Sequence, residues 1–188
     1  MKNAQAERDI VLLGGSPIKR VEKQGYSNSS SISSPAAAPI LVIVPASVRK
    51  NWQKELETWG HFGVTVYGAH KDDRDNLVEQ CQSGFSEIML VGNKMFSQKG
   101  DFAKIKSVPW KLVIVDEFHD YKNLQTGGWK SLYEIKQICK CPIVGLSGTP
   151  MPNNHRELWN LVHLVQPDLL GEWKEFNEEI VRPMQNAR

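Results

Sequence analysis

Two adjacent carboxylates follow a short apolar run in the segment Lys111–Asn123, which reads KLVIVDEFHDYKN. The run Leu112–Val115 is aliphatic and rich in β-branched residues, a pattern typical of a strand buried on both faces of a parallel sheet. Asp116 and Glu117 come directly after it, at the strand end where open α/β sheets bind ligands. One carboxylate can hold Mg²⁺ while the other polarises an attacking water. A solvated loop after a core strand is the alternative, and the pair alone does not decide between them.

The acidic pair belongs to a pattern of alternating strands and helices that begins near residue 39. The predicted strands are Ile40–Val44, Val64–Tyr67, Glu87–Val91, Leu112–Val115 and Pro142–Leu146. Helical patterns separate most of these strands. Strands that alternate with helices predict an α/β fold with a mainly parallel, right-handed sheet flanked by helices.

Each predicted helix is defined by the apolar residues that recur on one face. Ser47 is the expected N-cap of the first helix. The residues expected to face inward are Val48, Trp52, Leu56 and Trp59 in that helix, Leu132, Ile135 and Ile138 in 129–140, and Leu158, Leu161, Val162 and Val165 in 155–165. Residues 72–82 are expected to form a surface helix and Leu169–Met184 a last helical segment, while 101–106 is ambiguous.

Composition excludes several classes of protein. The 188 residues, 40% hydrophobic and 23% charged, are typical of one globular domain, and no apolar run approaches the ~20 residues that cross a bilayer. Three cysteines make no even disulfide framework, and the start MKNAQAERDI lacks the features of a secretory signal. We therefore expect a soluble intracellular chain. The net charge of +2 is too small to indicate or exclude nucleic-acid binding.

The amino-terminal part is expected to lie outside the main domain. Residues 1–24 contain one candidate strand, Ile10–Leu13, and residues 25–38 form a Ser-, Ala- and Pro-rich linker that we expect to be disordered. The segment GGSPIKR, residues 14–20, directly follows this candidate strand. It lacks the GxxxxGK[ST] spacing of a phosphate-binding loop, and its Pro17 removes a backbone N–H that such a loop needs. No phosphate-binding loop is predicted there.

Three motifs occur in the order PASVRKNW, VIVDEFHDYKN and GLSGTPMPNNHRELWNLVHLVQPDLLG. In this order they resemble the first motor lobe of the SWI/SNF-type ATPases, the helicase-like DNA translocases of superfamily two. The resemblance covers about residues 39–186, is closest to the repair and remodelling branch that includes Cockayne-syndrome-type proteins, and implies a partial RecA-like lobe over 39–188. It also implies a DNA-dependent ATPase that uses ATP and Mg²⁺, with double-stranded DNA, chromatin and transcription or repair proteins as partners, in the nucleus.

The resemblance assigns roles to the acidic segment. Asp116 matches the residue that holds Mg²⁺, and Glu117 matches the residue that positions or activates the water attacking the terminal phosphate of ATP. His119 completes the DExH pattern and would report nucleotide state, the alternative being a structural histidine bonded to a carbonyl. Phe118 stands where the family usually has a small residue.

The other matches are implied to couple ATP chemistry to DNA. Ser147, Gly148 and Thr149 match the coupling motif, with an ordinary turn and helix cap as the alternative. The implied DNA contacts are Pro45, Ser47, Arg49 and Lys50, whose helix start would face a phosphate, and Asn93 and Lys94, which replace the hydroxyl-bearing residues of a second DNA contact. Both basic residues of the first group fit a solvated helix face equally well.

Two parts of the family's machinery have no counterpart in the sequence. No GxxxxGK[ST] motif occurs, and the second lobe with its arginine finger is missing. We therefore expect this chain alone neither to hydrolyse ATP nor to bind ATP and Mg²⁺. Three interpretations stay open: part of a DNA-dependent motor, a non-enzymatic DNA- or protein-binding module, or an unrelated Mg²⁺-dependent hydrolase. Without the phosphate-loop strand, the sheet should contain a gap that Ile10–Leu13 fills, or an unpaired edge that favours self-association.

Overall fold

The computed structural model describes residues 38–68, 70–149 and 154–187. The predicted strand 10–13 and residues 25–37 of the predicted linker lie outside these ranges. Across the described residues, no helix is long and apolar enough to span a bilayer.

A five-stranded parallel sheet forms the centre of the fold, as the sequence predicts. The strands are β1 (Ile40–Val44), β2 (Val64–Val66), β3 (Ile88–Gly92), β4 (Leu112–Asp116) and β5 (Ile143–Leu146). They are ordered β2-β3-β1-β4-β5, and every neighbouring pair is parallel. At the centre, Val42 of β1 is in register with Leu90 of β3 and Ile114 of β4. The α/β fold class is confirmed.

The predicted gap in the sheet is wrong for the described strands. Each of the five is hydrogen-bonded directly to its neighbour, so no space for another strand remains between them. β2 and β5 instead form the two ends of the described sheet. A missing strand would therefore belong beside an end strand rather than in the middle.

Helices cover both faces of the sheet because side chains alternate along each strand. Leu41 and Ile43 of β1 belong to the larger core, whereas Val42 and Val44 belong to a smaller core on the opposite face. The helices are α1 (Arg49–Trp59), α2 (Arg74–Gln82), α3 (Asn93–Phe96), α4 (Lys99–Ile105), α5 (Gly127–Cys139), α6 (His155–Val165), α7 (Trp173–Phe176) and α8 (Arg182–Asn186). A 3₁₀ turn spans Phe118–Tyr121, and a π-helical turn, Asn177–Val181, joins α7 to α8. α1 covers the smaller core, while helices α2 to α6 contribute to the larger one.

Several predicted details of the first helix are wrong. Ser47 is not its N-cap, because Pro45–Val48 forms a turn in which the Val48 amide donates to the Pro45 carbonyl at 3.1 Å. The helix therefore begins one residue later, with Val48 as its N-cap. Trp59 is 82% exposed, because its indole N–H bonds to Glu55 on the outer face of the helix.

Later helices bury somewhat different faces from those predicted. In α5, Leu132 and Ile135 are buried but Ile138 is exposed, while Trp129 joins the core one turn earlier. α6 has the predicted bounds, yet its buried residues are Trp159, Asn160, Leu161 and Leu164. The ambiguous residues 101–106 fall mostly in α4, whose Phe102 and Ile105 pack into the larger core.

Candidate functional site

The predicted site residues follow four neighbouring strands at one edge of the sheet. Because β3, β1, β4 and β5 are parallel, their carboxyl ends lie along the same edge. The turn Pro45–Val48 follows β1, Asn93 and Lys94 follow β3, the acidic pair ends β4, and Ser147–Thr149 follow β5. The topology thus gathers motifs that are far apart in sequence.

Asp116 is held by two hydrogen bonds. It is the last residue of β4, and its Oδ2 accepts from the indole Nε1 of Trp52 at 2.9 Å. Its Oδ1 accepts from the backbone amide of Glu117, also at 2.9 Å. The carboxylate is therefore fixed by α1 on one side and by its own loop on the other. Sequence reasoning missed Trp52, whose periodicity indicated packing only, although a partly buried indole N–H usually needs an acceptor.

Glu117 turns the chain sharply at the end of the strand. Its backbone is left-handed, with φ 50° and ψ 49°, a conformation that costs a non-glycine residue about 1–3 kcal/mol. The Asp120 amide donates to the Glu117 carbonyl at 3.0 Å, which starts the 3₁₀ turn. Backbone strain of this kind concentrates at functional sites, where the surrounding structure maintains it.

His119 joins the acidic loop to the loop after β5. Its Nδ1 lies 3.1 Å from Ser147 Oγ and 3.4 Å from Glu117 Oε2, and its Nε2 lies 3.7 Å from Asp120 Oδ1. Ser147 Oγ also accepts from the Thr149 amide at 3.2 Å, so the same hydroxyl contacts the imidazole and its own loop. These partners are a hydroxyl and two carboxylates rather than a backbone carbonyl. The arrangement can link the position of the imidazole to both loops.

The large residue in the DExH segment is accommodated by a glycine on the next strand. A Cβ on Gly145 of β5 would lie 2.4 Å from the Phe118 ring, so only glycine leaves room for this ring. The ring also stacks on Tyr121, with centroids 6.2 Å apart. Phe118 is buried, and its packing fixes the 3₁₀ turn against β5.

A second connection ties α6 to the segment after the 3₁₀ turn. Asn160 Nδ2 donates to the Lys122 carbonyl at 2.7 Å, and Lys122 Nζ lies 3.3 Å from Glu157 Oε2. Asn160 is buried, although its position in the ELWNL pattern gave no signal beyond helical periodicity. α6 follows the coupling motif, so these contacts join that part of the chain to the acidic loop.

The side chains present fit only part of a metal site. Within the described ranges, no group of three or more His, Cys, Asp or Glu side chains is arranged to hold a metal ion. Asp116 can serve as one ligand, because among the described residues each of its oxygens accepts a single hydrogen bond and keeps a second lone pair. Mg²⁺ commonly binds through one or two carboxylates, with water and phosphate completing its shell. The donor set fits a metal held largely by nucleotide phosphates.

The residues with predicted DNA contacts differ in whether their polar groups are already used within the protein. The first turn of α1 has no side-chain cap and no acidic residue, while Arg49 and Lys50 open the helix and Lys50 is exposed. The uncapped amides, the helix dipole and the two cations all favour a bound anion. Asn93 is different, since its Oδ1 accepts from the Lys94 amide at 2.8 Å and so serves its own short helix. Ser47 lies exposed in the turn before α1.

A family model of the SNF2-related domain matches residues 5–188. The chain belongs to this family. It is 32% identical over 156 residues to the mouse DNA excision repair protein ERCC-6-like 2, covering 82% of this chain and 10% of that protein. It is also 32% identical over 158 residues to the chromatin-remodelling ATPase INO80 of Candida glabrata, covering 79% and 10% respectively. This SNF2-related chain therefore spans about a tenth of the length of these relatives.

A solved structure supports the fold of the SNF2-related chain. The Sulfolobus solfataricus SWI2/SNF2 ATPase core in complex with double-stranded DNA superposes with a TM-score of 0.61 and 28% identity. The match covers 81% of this chain and 30% of that one. The RecA-like lobe expected from the motifs is thereby confirmed, with the chain corresponding to part of such a motor core.

Proposed function

We propose that this chain is part of the ATP-dependent DNA translocase motor of a chromatin-remodelling or DNA-repair protein that acts in the nucleus. The observation that carries the proposal is the direct bonding between three motifs. Trp52 of the first motif bonds to Asp116 of the second, and His119 of the second bonds to Ser147 of the third. The DNA-facing, acidic and coupling motifs thus form one connected unit.

In this proposal the chain supplies the acidic half of an ATP site. Asp116, held by Trp52 and by its own loop, is oriented to bind Mg²⁺. The bound metal would neutralise phosphate charge during phosphoryl transfer. Glu117, half-exposed beside β4, positions the attacking water, and His119 lies between it and Ser147. Loss or gain of the His119–Ser147 contact is the proposed link between the acidic loop and the coupling motif.

We further propose that the chain alone does not hydrolyse ATP. Phosphoryl transfer depends mainly on charges positioned around the phosphates. The family's phosphate-loop lysine and arginine finger have no counterpart in the 188 residues. Asp116 and Glu117 would then act only when those groups are supplied by other parts of the motor.

A second candidate is a non-enzymatic DNA-binding module. It is favoured by the first turn of α1, which combines uncapped amides, two cations and the absence of acids. This surface needs no nucleotide to bind a phosphate. The two candidates share the DNA surface and differ in whether ATP is turned over when the missing groups are present.

DNA binding by the chain tests what both candidates share. Fluorescence anisotropy with a duplex oligonucleotide should show binding that weakens with added salt, because phosphate contacts release counterions. Arg49→Gln plus Lys50→Gln should lower the affinity and the salt slope. Lys111→Gln plus Lys140→Gln removes the same charge at the opposite edge of the sheet, where β4 and β5 begin, and should change little. Equal losses in the two double variants would count against the α1 surface.

The Cockayne-syndrome-type branch is the proposed placement within the family. The mouse relative, named as a DNA excision repair protein, supports it, and the INO80 relative extends the range to remodelling. The corresponding partners are chromatin and proteins of transcription or repair. Co-purification of the chain with nucleosomes, compared between wild type and Arg49→Gln plus Lys50→Gln, tests whether chromatin is engaged through the DNA surface.

A further inference from the structure

The half of the sheet formed by β4 and β5 is only partly covered on the face where α1 packs. Val42 of β1 is in register with Ile114 of β4, and Ile114 with Val144 of β5, so their side chains point to the same face. Two residues away along the strands, Leu112 and Leu146 continue this face. None of the four residues on β4 and β5 is buried. Together these four aliphatic residues, Leu112, Ile114, Val144 and Leu146, form the open face.

The opposite face of the same two strands is fully covered. There Val113, Val115 and Ile143 are no more than 3% exposed and belong to the larger core. The smaller core joins α1 to β1, β2 and β3, and within the described ranges it includes Ile114 but not the other residues of the open face. Parallel sheets in α/β proteins normally carry covering elements on both faces. One half of the α1 face therefore has an incomplete cover in the described part of the chain.

The amino-terminal segment of the same chain has the composition to complete this cover. The run Ile10–Leu13 reads IVLL and is the only run of four large aliphatic residues before residue 38. It lies outside the described residues, yet the match to the SNF2-related family model begins at residue 5. The run therefore falls within the matched domain and has the same aliphatic chemistry as the open face.

The chain enters the sheet close to the open face. β1 begins at Ile40 and is the direct neighbour of β4, with β5 next in order. Adjacent strands lie about 4.8 Å apart, so β5 is roughly 10 Å from β1. Residues 14–37 provide 24 residues between the aliphatic run and the described chain. Even a flexible linker of that length spans about 25–30 Å, which is more than the distance requires.

The direction of the chain connections favours the α1 face for such a segment. α1 connects β1 to β2, toward the β2 end of the sheet, and packs on the smaller core. Helices on connections toward the β5 end pack on the larger core instead. This division is the consequence of right-handed crossovers. A segment that lies over β5 and β4 and then enters β1 runs in the same direction as α1, so it belongs on the same face.

We propose that Ile10–Leu13 packs on the open face of its own chain and completes the cover of the sheet. This placement replaces the expected strand within a gap of the sheet by a contact on its surface. Leu146 is in register with Asp116, whose Oδ2 accepts from Trp52 of α1 on this same face. The segment would thus enclose the Asp116 carboxylate from the β5 side, while α1 encloses it from the β1 side. The contact depends on neither DNA binding nor ATP turnover.

Methyl–methyl nuclear Overhauser effects in the full chain test this contact directly. With Ile, Leu and Val methyl groups labelled, we expect cross-peaks from Ile10–Leu13 to Ile114, Val144 or Leu146. Absence of these cross-peaks, or cross-peaks from the run to a different surface, would overturn the proposal. In a mixture of differently labelled molecules, cross-peaks found only between molecules would place a second copy on the open face and would overturn it as well.

Leu12→Asp plus Leu13→Asp should release the segment, because carboxylates are costly to bury against aliphatic side chains. The urea concentration at the midpoint of unfolding should fall, and binding of the dye anilinonaphthalene sulfonate should rise as the open face loses its cover. Ile32→Asp plus Ser33→Asp is the matched control, since it adds the same charge within residues 25–38 and should change neither quantity. Indistinguishable behaviour of the two double variants would contradict the proposal.

Val144→Ala provides a third arm on the open face itself. In wild type it should lower the urea midpoint, because it truncates a side chain that packs against the segment. In the Leu12→Asp plus Leu13→Asp background the same substitution should lower the midpoint less, because that packing is already lost. Additive shifts of the midpoint would show that the two sites are not in contact and would overturn the assignment.

Discussion

At the residue scale, the bond between Trp52 and Asp116 joins an indole packed on the smaller core to the carboxylate that ends β4. The indole packs with Leu56 against the smaller core while its N–H reaches Asp116 Oδ2 at 2.9 Å. A single side chain thus fixes α1 to the sheet and orients the proposed Mg²⁺ ligand. Hydrogen bonds to charged groups are among the stronger ones in proteins.

Trp52→Phe should lower the free energy of unfolding by about 1–2 kcal/mol, because Asp116 loses its indole donor and the core loses ring area. Urea unfolding followed by circular dichroism measures this change. Trp59→Phe is the control, since its ring is 82% exposed, its N–H bonds to exposed Glu55, and the change should alter stability by less than about 0.5 kcal/mol. Equal effects of the two substitutions would contradict a structural role for the Trp52–Asp116 bond.

The sequence predicted where the acidic pair lies but not what holds it. An apolar run that ends in Asp116 and Glu117 indicates carboxylates at a strand end, and β4 does end at Asp116. The Trp52 bond depends on the crossing of α1 over the sheet, which local periodicity does not encode. The burial of the Tyr121 ring against α5 was equally hidden, because it depends on the absence of a side chain at Gly128.

At the scale of elements, a large residue just after β4 packs over a glycine of β5. Phe118, just after β4, covers the backbone of Gly145 in β5, and a Cβ there would meet the ring at 2.4 Å. Phe118, which stands where the family usually has a small residue, is therefore accommodated by a glycine on the neighbouring strand. The same contact joins the 3₁₀ turn to the strand that precedes Ser147–Thr149.

Gly145→Ala should destabilise the chain by about 1–3 kcal/mol, the usual cost of overpacking a core. In a Phe118→Ala background the same change should cost much less, which gives a coupling energy of about 1 kcal/mol or more. Gly148→Ala is the control, because a Cβ at Gly148 meets nothing within 4 Å in the described structure. Additive effects of Gly145→Ala and Phe118→Ala in chemical unfolding would contradict the packing argument.

The end of the sheet at β5 supports the expectation of self-association. Among the described strands, β5 pairs only with β4, and a strand edge without a partner can pair with another chain. We propose that the chain associates weakly through this edge. Sedimentation velocity over a wide concentration range should show a rising weight-average sedimentation coefficient. A constant value at the monomer position would contradict the proposal.

Helix faces were harder to predict than strands. β-branched runs such as Ile40–Val44 define a buried strand by composition alone, and the structure gives it these bounds. In α6, by contrast, Leu158 and Val162 are only partly buried, while Trp159 and Leu164 are in the core. Several apolar faces are possible in a leucine-rich helix, and the neighbouring elements select one of them.

At the scale of the whole molecule, the parallel order of the strands brings motifs that are separated in sequence to one edge of the sheet. β3, β1, β4 and β5 are neighbours in space, so the turn after each reaches the same side of the sheet. The alternation of strands and helices was sufficient to predict this α/β class. The strand order was not predictable from that pattern alone, and the described strands form a continuous sheet from β2 to β5 instead of leaving the expected gap.

Phosphate release by a sample of the chain that demonstrably binds duplex DNA tests the central claim most directly. The claim is that the chain contributes a DNA surface and an oriented acidic pair without the phosphate-binding groups that turnover requires. With ATP, Mg²⁺ and DNA present, wild type should release no more phosphate than Glu117→Gln while binding DNA as tightly. DNA-stimulated release that disappears in Glu117→Gln would contradict this account.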